Sequence, residues 1–593
     1  MLQEAKKVLK TYYGYDEFRH GQALAIEHIL HKQNTLAIMP TGGGKSICYQ
    51  IPGLITDGTT LVISPLISLM KDQVDALQSL GIQATFINSS LTMEEQRERM
   101  DLLRQGAYQF IYVAPERFES DYFLSVLNQI HLSLIAFDEA HCISQWGHDF
   151  RPSYRTVVDR VKQLHVVPTL MGLTATATDL VQDDLQQLLE VQPDHIINTG
   201  FARDNLTFSI VKGQDRTAYI EEYVRFHKEE PGIIYAITRK QVDQLFYLLQ
   251  SKGLPVAKYH AGMSEDARKN AQNAFIQDDV TIMIATNAFG MGIDKSNVRY
   301  VIHYALPKNL ESYYQEAGRA GRDGAPSECN LLFSGQDIQT QKYLIEQSEM
   351  MDEKKKQEYG KLQAMINYCH TGKCLQQYVL DYFNDQTNSE DCGRCSNCID
   401  DVEKVDRTKE AQMVLSCVKR MGERFGASLT AKVLKGSNDK KVKQFRFNQL
   451  STYGLLRHYT EKELTHFIQF LVAENYLLAE EGKFPILRLN QKSLAILKGE
   501  IPVYMQVVKV EKKIAEDYNV ELFELLREER KKIADENGLP PYVVFTDRSL
   551  TEFARLFPEN KSDMLRIHGV GEKKYEQYGE HFLQLIQTFK TTV

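Results

Sequence analysis

Residues Met39 to Ser46 read Met-Pro-Thr-Gly-Gly-Gly-Lys-Ser and stand between a short apolar run, Thr35–Met39, and helix-like sequence. Glycine-rich backbone leading into a helix lets N–H groups approach phosphate oxygens, with a lysine for the β- and γ-phosphates and a serine hydroxyl for Mg²⁺. Thr41, Gly42, Gly43, Gly44, Lys45 and Ser46 are therefore the candidate phosphate loop, with Met39 where the usual pattern begins on glycine. A plain turn ahead of Lys-Ser is the alternative, and the strand–loop–helix setting argues against it. The surrounding pattern is that of a parallel α/β sheet. Apolar runs Leu61–Ser64, Phe110–Val113, Leu134–Phe137 and Thr169–Leu173 alternate with amphipathic stretches. The pattern pauses near Phe201–Gln214, and a second strand set follows: Gly232–Ala236, Val256–Tyr259, Thr281–Ala285, Val298–Tyr304 and Asn330–Phe333. Two successive α/β lobes are expected.

Asp138-Glu139-Ala140-His141 follows the run Leu134–Phe137. A carboxylate pair at the C-terminal end of such a strand suits metal ordering by Asp138 and positioning and deprotonation of water by Glu139. In the second lobe, small residues surround Arg319 and Arg322 in Gln-Glu-Ala-Gly-Arg-Ala-Gly-Arg-Asp-Gly. They predict a closely packed helix whose guanidinium groups stabilise charge on a transferring phosphoryl group. A solvated basic helix is the plainer alternative.

Net charge is −8, which by itself disfavours a nucleic-acid binder, but its distribution is uneven. Residues 401–515 carry +8 and residues 516–593 carry −4, leaving −12 for residues 1–400. The basic segment, with Lys440, Lys441, Lys443 and Arg446, suits phosphate contacts through counterion release. Four of the nine cysteines, Cys374, Cys392, Cys395 and Cys398, crowd together near the middle of the chain. Four thiolates with this spacing suit a closed structural zinc site. An iron–sulfur cluster would use the same atoms, a redox pair is another reading, and Cys369 and His370 are rival ligands. Cys369 shares a helix-like run with Met365 and Ile366 and is expected to pack. A hydrophobic content of 43% excludes a wholly disordered chain. With no long apolar run and no apolar leader after Met1-Leu2-Gln3-Glu4, a protein without a membrane span is expected, by default cytoplasmic.

Together these segments resemble superfamily-2 DExH helicases, and specifically the RecQ family of DNA helicases. The strongest match is Asp138 to Tyr154, where the acidic motif runs into an aromatic-rich loop. Tyr15, Arg19 and Gln22 match the family's adenine-recognition motif, and Ser64-Pro65-Leu66, Thr174-Ala175-Thr176 and Ala288 to Asp294 match further helicase motifs. The resemblance implies two tandem RecA-like lobes (1–204 and 205–340), a helical zinc-binding domain (341–404), a winged helix (405–515) and a small helical HRDC bundle (516–593). It implies ATP, Mg²⁺ and Zn²⁺ as cofactors, with the four cysteines as zinc ligands. The implied activity is 3′–5′ unwinding of duplex DNA in recombination and repair. Single-stranded and forked duplex DNA are the implied substrates and a single-strand-binding protein an implied partner, in a cytoplasmic, nucleoid-associated setting. His141 joins the catalytic set on the same ground.

Physical chemistry supports the match. Tyr15 and Arg19 can sandwich a purine whose Hoogsteen edge pairs with the Gln22 amide. Trp146, Phe150 and Tyr154 offer ring faces on which bases stack for ~1–3 kcal/mol each, with Arg151 beside them. Gln145, His148, Asp149 and Arg151 favour an exposed loop over ordinary core. A hairpin from Leu478 to Leu489, turning at Glu481-Gly482-Lys483, could wedge a duplex end with its Glu480–Phe484 tip. An RNA-dependent ATPase and a non-catalytic DNA-binding scaffold are the competing functions. The aromatic loop and zinc site oppose the first, and the intact Lys45, Asp138 and Glu139 oppose the second.

Overall fold

The computed structural model describes residues 1–147, 149–290, 295–385, 391–399, 402–480, 482–508 and 518–592. The first sheet holds seven strands: β1 (Thr35–Ile38), β2 (Thr59–Ile63), β3 (Ala84–Ile87), β4 (Phe110–Val113), β5 (Leu132–Phe137), β6 (Thr169–Thr174) and β7 (Ile196–Asn198). All pair in parallel, in the order β3-β4-β2-β5-β6-β1-β7. Every residue of β1, β2 and β4 is buried. Helices cover both faces, so these strands are apolar throughout rather than alternating.

The second sheet is also parallel, in the order β10-β11-β9-β12-β13-β8. Its strands are β8 (Leu206–Lys212), β9 (Gly232–Tyr235), β10 (Val256–Tyr259), β11 (Ile282–Ala285), β12 (Tyr300–His303) and β13 (Ser327–Phe333). The segment Phe201–Gln214, expected as a pause, contains β8, the edge strand. Leu206 and Phe208 point into the core while the residues between and after them are only half-buried or exposed, which breaks the continuous apolar run. Lobe motif residues Met291, Gly292, Ile293 and Asp294, together with His148 and Glu481, lie outside the described residues.

Beyond the second sheet, the helix Asp352–His370 leads to the cysteine cluster. Residues 411–503 form a separate core around Leu415, Ile468 and Leu471. There the expected hairpin is present as two-residue strands, Leu478–Ala479 and Leu487–Arg488. Its tip leans on the helix Gly335–Gln347 that follows the second sheet, where Lys342 Nζ donates to Lys483 O at 2.7 Å, and Phe484 is 80% exposed. The terminal bundle packs around Leu526, Ile533, Phe545, Phe553 and Phe582. Val544 also enters this core.

Candidate nucleotide and metal sites

The loop after β1 turns sharply into the helix Lys45–Ile55, with Gly42 at φ +81° and Gly44 at φ +75°. These left-handed conformations favour glycine. Space imposes the same choice: a Cβ on Gly44 would lie 2.4 Å from Gln22 Nε2, and one on Gly42 would lie 3.2 Å from the Cα of Arg322 in the other lobe. The acidic pair follows β5, where Glu139 adopts φ +48°. A non-glycine residue held there is uncommon and costs free energy, and such residues gather at functional sites.

A cavity of about 650 Å³ opens between the lobes, lined by Lys45, Ser46, Asp138, Glu139, Arg319 and Arg322. Tyr15, Arg19, Gln22, Thr41, Gly42 and Gly44 complete its wall on the first lobe. Asp138 accepts from its neighbour's backbone, Glu139 N, at 3.0 Å and from Ser64 Oγ at 3.4 Å. Burial, and then the adjacent Glu139, lift its carboxyl to about 7. Two carboxylates crowded at the end of a buried strand fit a divalent cation, which would relieve their repulsion. Burial draws the Lys45 ammonium below the usual lysine range, against the opposing pull of Glu139 and Asp138. In the second lobe the buried Arg319 keeps Nε without a hydrogen-bond partner. An orphaned cationic donor on a cavity wall fits an anionic ligand.

His141 is fully buried, its Nδ1 2.9 Å from Thr174 Oγ1 and 3.4 Å from Glu139 Oε2. Burial first, and then Lys45, lower its imidazole to about 3, so the ring is neutral at ordinary pH. It therefore links the acidic motif to the Thr174-Ala175-Thr176 segment as a neutral hydrogen-bonding group.

Three expectations need correction. Arg319 and Arg322 do not ride on a helix: the helix Leu310–Ala317 ends before them, and they stand on the turns that follow, with Gly321 at φ +55°. Gln22 does not present a free amide to a base. Its Nε2 donates to Gly43 O at 3.0 Å and Gly44 O at 3.1 Å, because the tight loop leaves those carbonyls needing donors. Tyr154 offers no face for stacking, being fully buried. Its hydroxyl is shared between Ile63 O, at 2.6 Å, and Asp138 O. Trp146, Phe150 and Arg151 remain partly exposed. Trp146 packs one side against the core, Arg151 Nη1 donates to Pro65 O at 2.9 Å, and Lys361 Nζ donates to Trp146 O at 3.3 Å.

The terminal bundle also reaches the cavity. Glu552, Arg566, Ile567 and His568 line it, and the His568 ring lies 5.0 Å from that of Tyr15. Nothing local in the sequence of the His568-Gly569-Val570-Gly571 turn indicates where it docks.

In the cysteine cluster one ligand atom from each of Cys374, Cys392, Cys395 and Cys398 lies within 4.8 Å of the others. Backbone N–H groups of Leu375, Gln377 and Cys395 point at three of these sulfurs at 3.3–3.5 Å, an arrangement that suits thiolates. The set fits tetrahedral Zn²⁺ with no open position. Cys369 is packed in the core and outside the group, as is the buried His370, whose ring meets Phe333.

Two parallel-sheet lobes that share one cavity, lined by a glycine-rich loop and an acidic pair on the first and by two arginines on the second, define a nucleotide-driven helicase. Residues 19–184 match the DEAD/DEAH box helicase family and residues 215–324 the helicase conserved C-terminal domain. Residues 335–399 match the RecQ zinc-binding family, 401–514 the RQC domain and 519–586 the HRDC domain. The ATP-dependent DNA helicase RecQ of Bacillus subtilis (strain 168) is 50% identical over 590 residues, 99% of each chain. That of Haemophilus influenzae is 39% identical over 598 residues, 99% of this chain and 96% of the other. The chain belongs to the RecQ family of ATP-dependent DNA helicases, with ATP-binding helicase domains, a zinc-binding domain and DNA as its substrate. Among the described residues no helix is long and apolar enough to cross a membrane.

Proposed function

We propose that the interlobe cavity hydrolyses ATP with Lys45 on the β- and γ-phosphates and Ser46 and Asp138 holding Mg²⁺. Mg²⁺ held there would neutralise phosphate charge. Glu139 orients the attacking water and takes its proton, while neutral His141 fixes the Glu139 carboxylate relative to Thr174. Tyr15 and Arg19 hold the purine, and Gln22 supports the glycine loop. Arg319 and Arg322 donate to the γ-phosphoryl group as negative charge develops, with Arg322 the principal finger. One observation carries this reading: both arginines of the second lobe line the same cavity as Lys45, Asp138 and Glu139 of the first.

Opening and closing of the lobes then moves the chain along a single strand, 3′ to 5′, a polarity supported by the family resemblance. Trp146, Phe150 and Arg151, next to the acidic motif, report strand contact to Glu139. Cytoplasmic, nucleoid-associated action on forked DNA and cooperation with a single-strand-binding protein rest on the same resemblance. Strand separation on forked DNA is the direct test. ATP is expected to support it, whereas a non-hydrolysable analogue is not. Lys45→Ala is expected to abolish turnover while retaining DNA binding; parental ATPase in that variant would refute the site assignment, and DNA binding without any ATPase in the parent would favour the scaffold reading.

A further inference from the structure

The segment joining the lobes carries a buried cation that no motif above uses. Arg203 stands between β7 and β8, in Phe201-Ala202-Arg203-Asp204-Asn205, and is only 9% exposed. Its guanidinium reaches both lobes through backbone carbonyls. Nη1 donates to Thr41 O in the phosphate loop and to Gly318 O at 3.2 Å. Nη2 donates to Ala320 O at 3.0 Å and Gly321 O at 2.9 Å, and Nε faces Asn205 Oδ1 at 3.3 Å. The connecting segment is itself pinned. Asn205 Nδ2 donates to Gly321 O at 2.8 Å and Ala325 O at 2.9 Å, and the Phe201 ring stacks on Phe383 at 4.5 Å. Burial draws this guanidinium below the usual arginine range, and Arg322 and Arg19 add like-charge repulsion. A charge kept in so unfavourable a place implies a geometry that depends on it.

From this we infer that Arg203 is a positioning residue of the ATPase reaction: it fixes the register between the phosphate loop and the turns that bear Arg319 and Arg322. The planar fork matches carbonyls on two loops at once, a geometry that the point charge of lysine cannot reproduce. Gly42 is the counterpart of this arrangement, since a Cβ there would come within 3.5 Å of Arg203 Nη1 and 3.2 Å of Arg322 Cα. The side chain acts on the nucleotide only through the loops it joins. The inference rests on the finger role proposed for Arg322.

Arg203→Lys is the test, because it keeps the charge and removes the fork. Misplacing a catalytic group by about 1 Å costs on the order of 100-fold, so kcat for DNA-stimulated hydrolysis is expected to fall by roughly 10- to 100-fold. The KM for ATP should change little, because Lys45 and the adenine wall stay in place. Zinc content and nucleotide-free DNA affinity at parental levels verify folding, and Arg203→Lys supplies the answer should Arg203→Ala fail to fold. In an Arg322→Ala background Arg203→Lys should cost little more, since the two act as a unit. Additive losses, or an unchanged kcat in Arg203→Lys beside a slow Arg322→Ala, would overturn the positioning role alone. Parental turnover in Arg322→Ala would remove the finger assignment and the positioning role together.

Discussion

Tyr154 and Trp146 lie eight residues apart in one aromatic-rich stretch, yet the first is fully buried and the second partly exposed. The Tyr154 hydroxyl ties the end of β2 to the residue after β5 through Ile63 O and Asp138 O, so Tyr154→Phe leaves the Asp138 carbonyl short of a donor at about 1–3 kcal/mol. Basal and DNA-stimulated hydrolysis should then fall together, with a lowered melting temperature. Trp146→Ala should instead depress the DNA-stimulated rate much more than the basal rate. Steady-state ATPase with and without oligonucleotide separates the two patterns, and equal behaviour of the variants would contradict the division of roles. Sequence told the rings apart poorly because aromatic spacing does not reveal which ring faces the core. It served better for Lys45, Asp138 and Glu139, whose chemistry is written in contiguous motifs at strand ends. Arg203 was invisible for the opposite reason: its partners are carbonyls, which every residue carries.

Among the elements, the zinc module is built against the edge of the second sheet. Ser396 N donates to Phe208 O at 2.9 Å, Ser396 Oγ accepts from Ile210 N at 3.3 Å, and Arg394 Nε donates to Leu206 O at 3.2 Å. These bonds cover a strand edge that would otherwise expose unpaired donors and acceptors. Elemental analysis should find stoichiometric zinc in the purified protein, and Cys395→Ser should lose it. Because metal binding and local folding are coupled, the same change should speed amide exchange at Ile210 and lower the melting temperature. Retained protection of Ile210 without metal would detach the cysteine cluster from the edge it covers. Most of the strands that sequence foresaw are buried on both faces, as β2 and β4 are. β8 escaped because it alternates, β7 because three residues are too short to show a period, and β3 because Ala84 and Thr85 leave it no continuous apolar run.

At the scale of the whole molecule, the terminal bundle touches both lobes and closes one wall of the nucleotide cavity. On the first lobe, Lys573 sits 4.2 Å from the Tyr12 ring centre and donates to Leu80 O at 3.3 Å. On the second, Lys531 pairs with Asp279 at 2.9 Å, and Arg527 Nη2 donates to Glu229 O at 2.9 Å. Backbone also meets backbone here: a Cβ on Gly571 would lie 2.8 Å from Gly14 Cα. Gly571 has φ −91°, which any residue adopts, so Gly571→Ala should spare the bundle and disturb only its seat. Scattering should then report a larger radius of gyration, and amides near Gly14 should exchange faster. Acid should act in the same direction. Burial, and then Arg548, hold the His568 imidazole at about 4 against an ordinary 6.5, while Glu552 pulls upward and Arg19 downward. The docked state therefore prefers the neutral ring. That contribution is complete above pH 6.5 and fades as the pH falls toward 4. Lowering the pH from 7.5 to 5.5 should loosen the bundle in the parent and do so less in His568→Gln. Identical scattering curves for parent and Gly571→Ala at pH 7.5 would show that the Gly14–Gly571 contact does not hold the bundle in place.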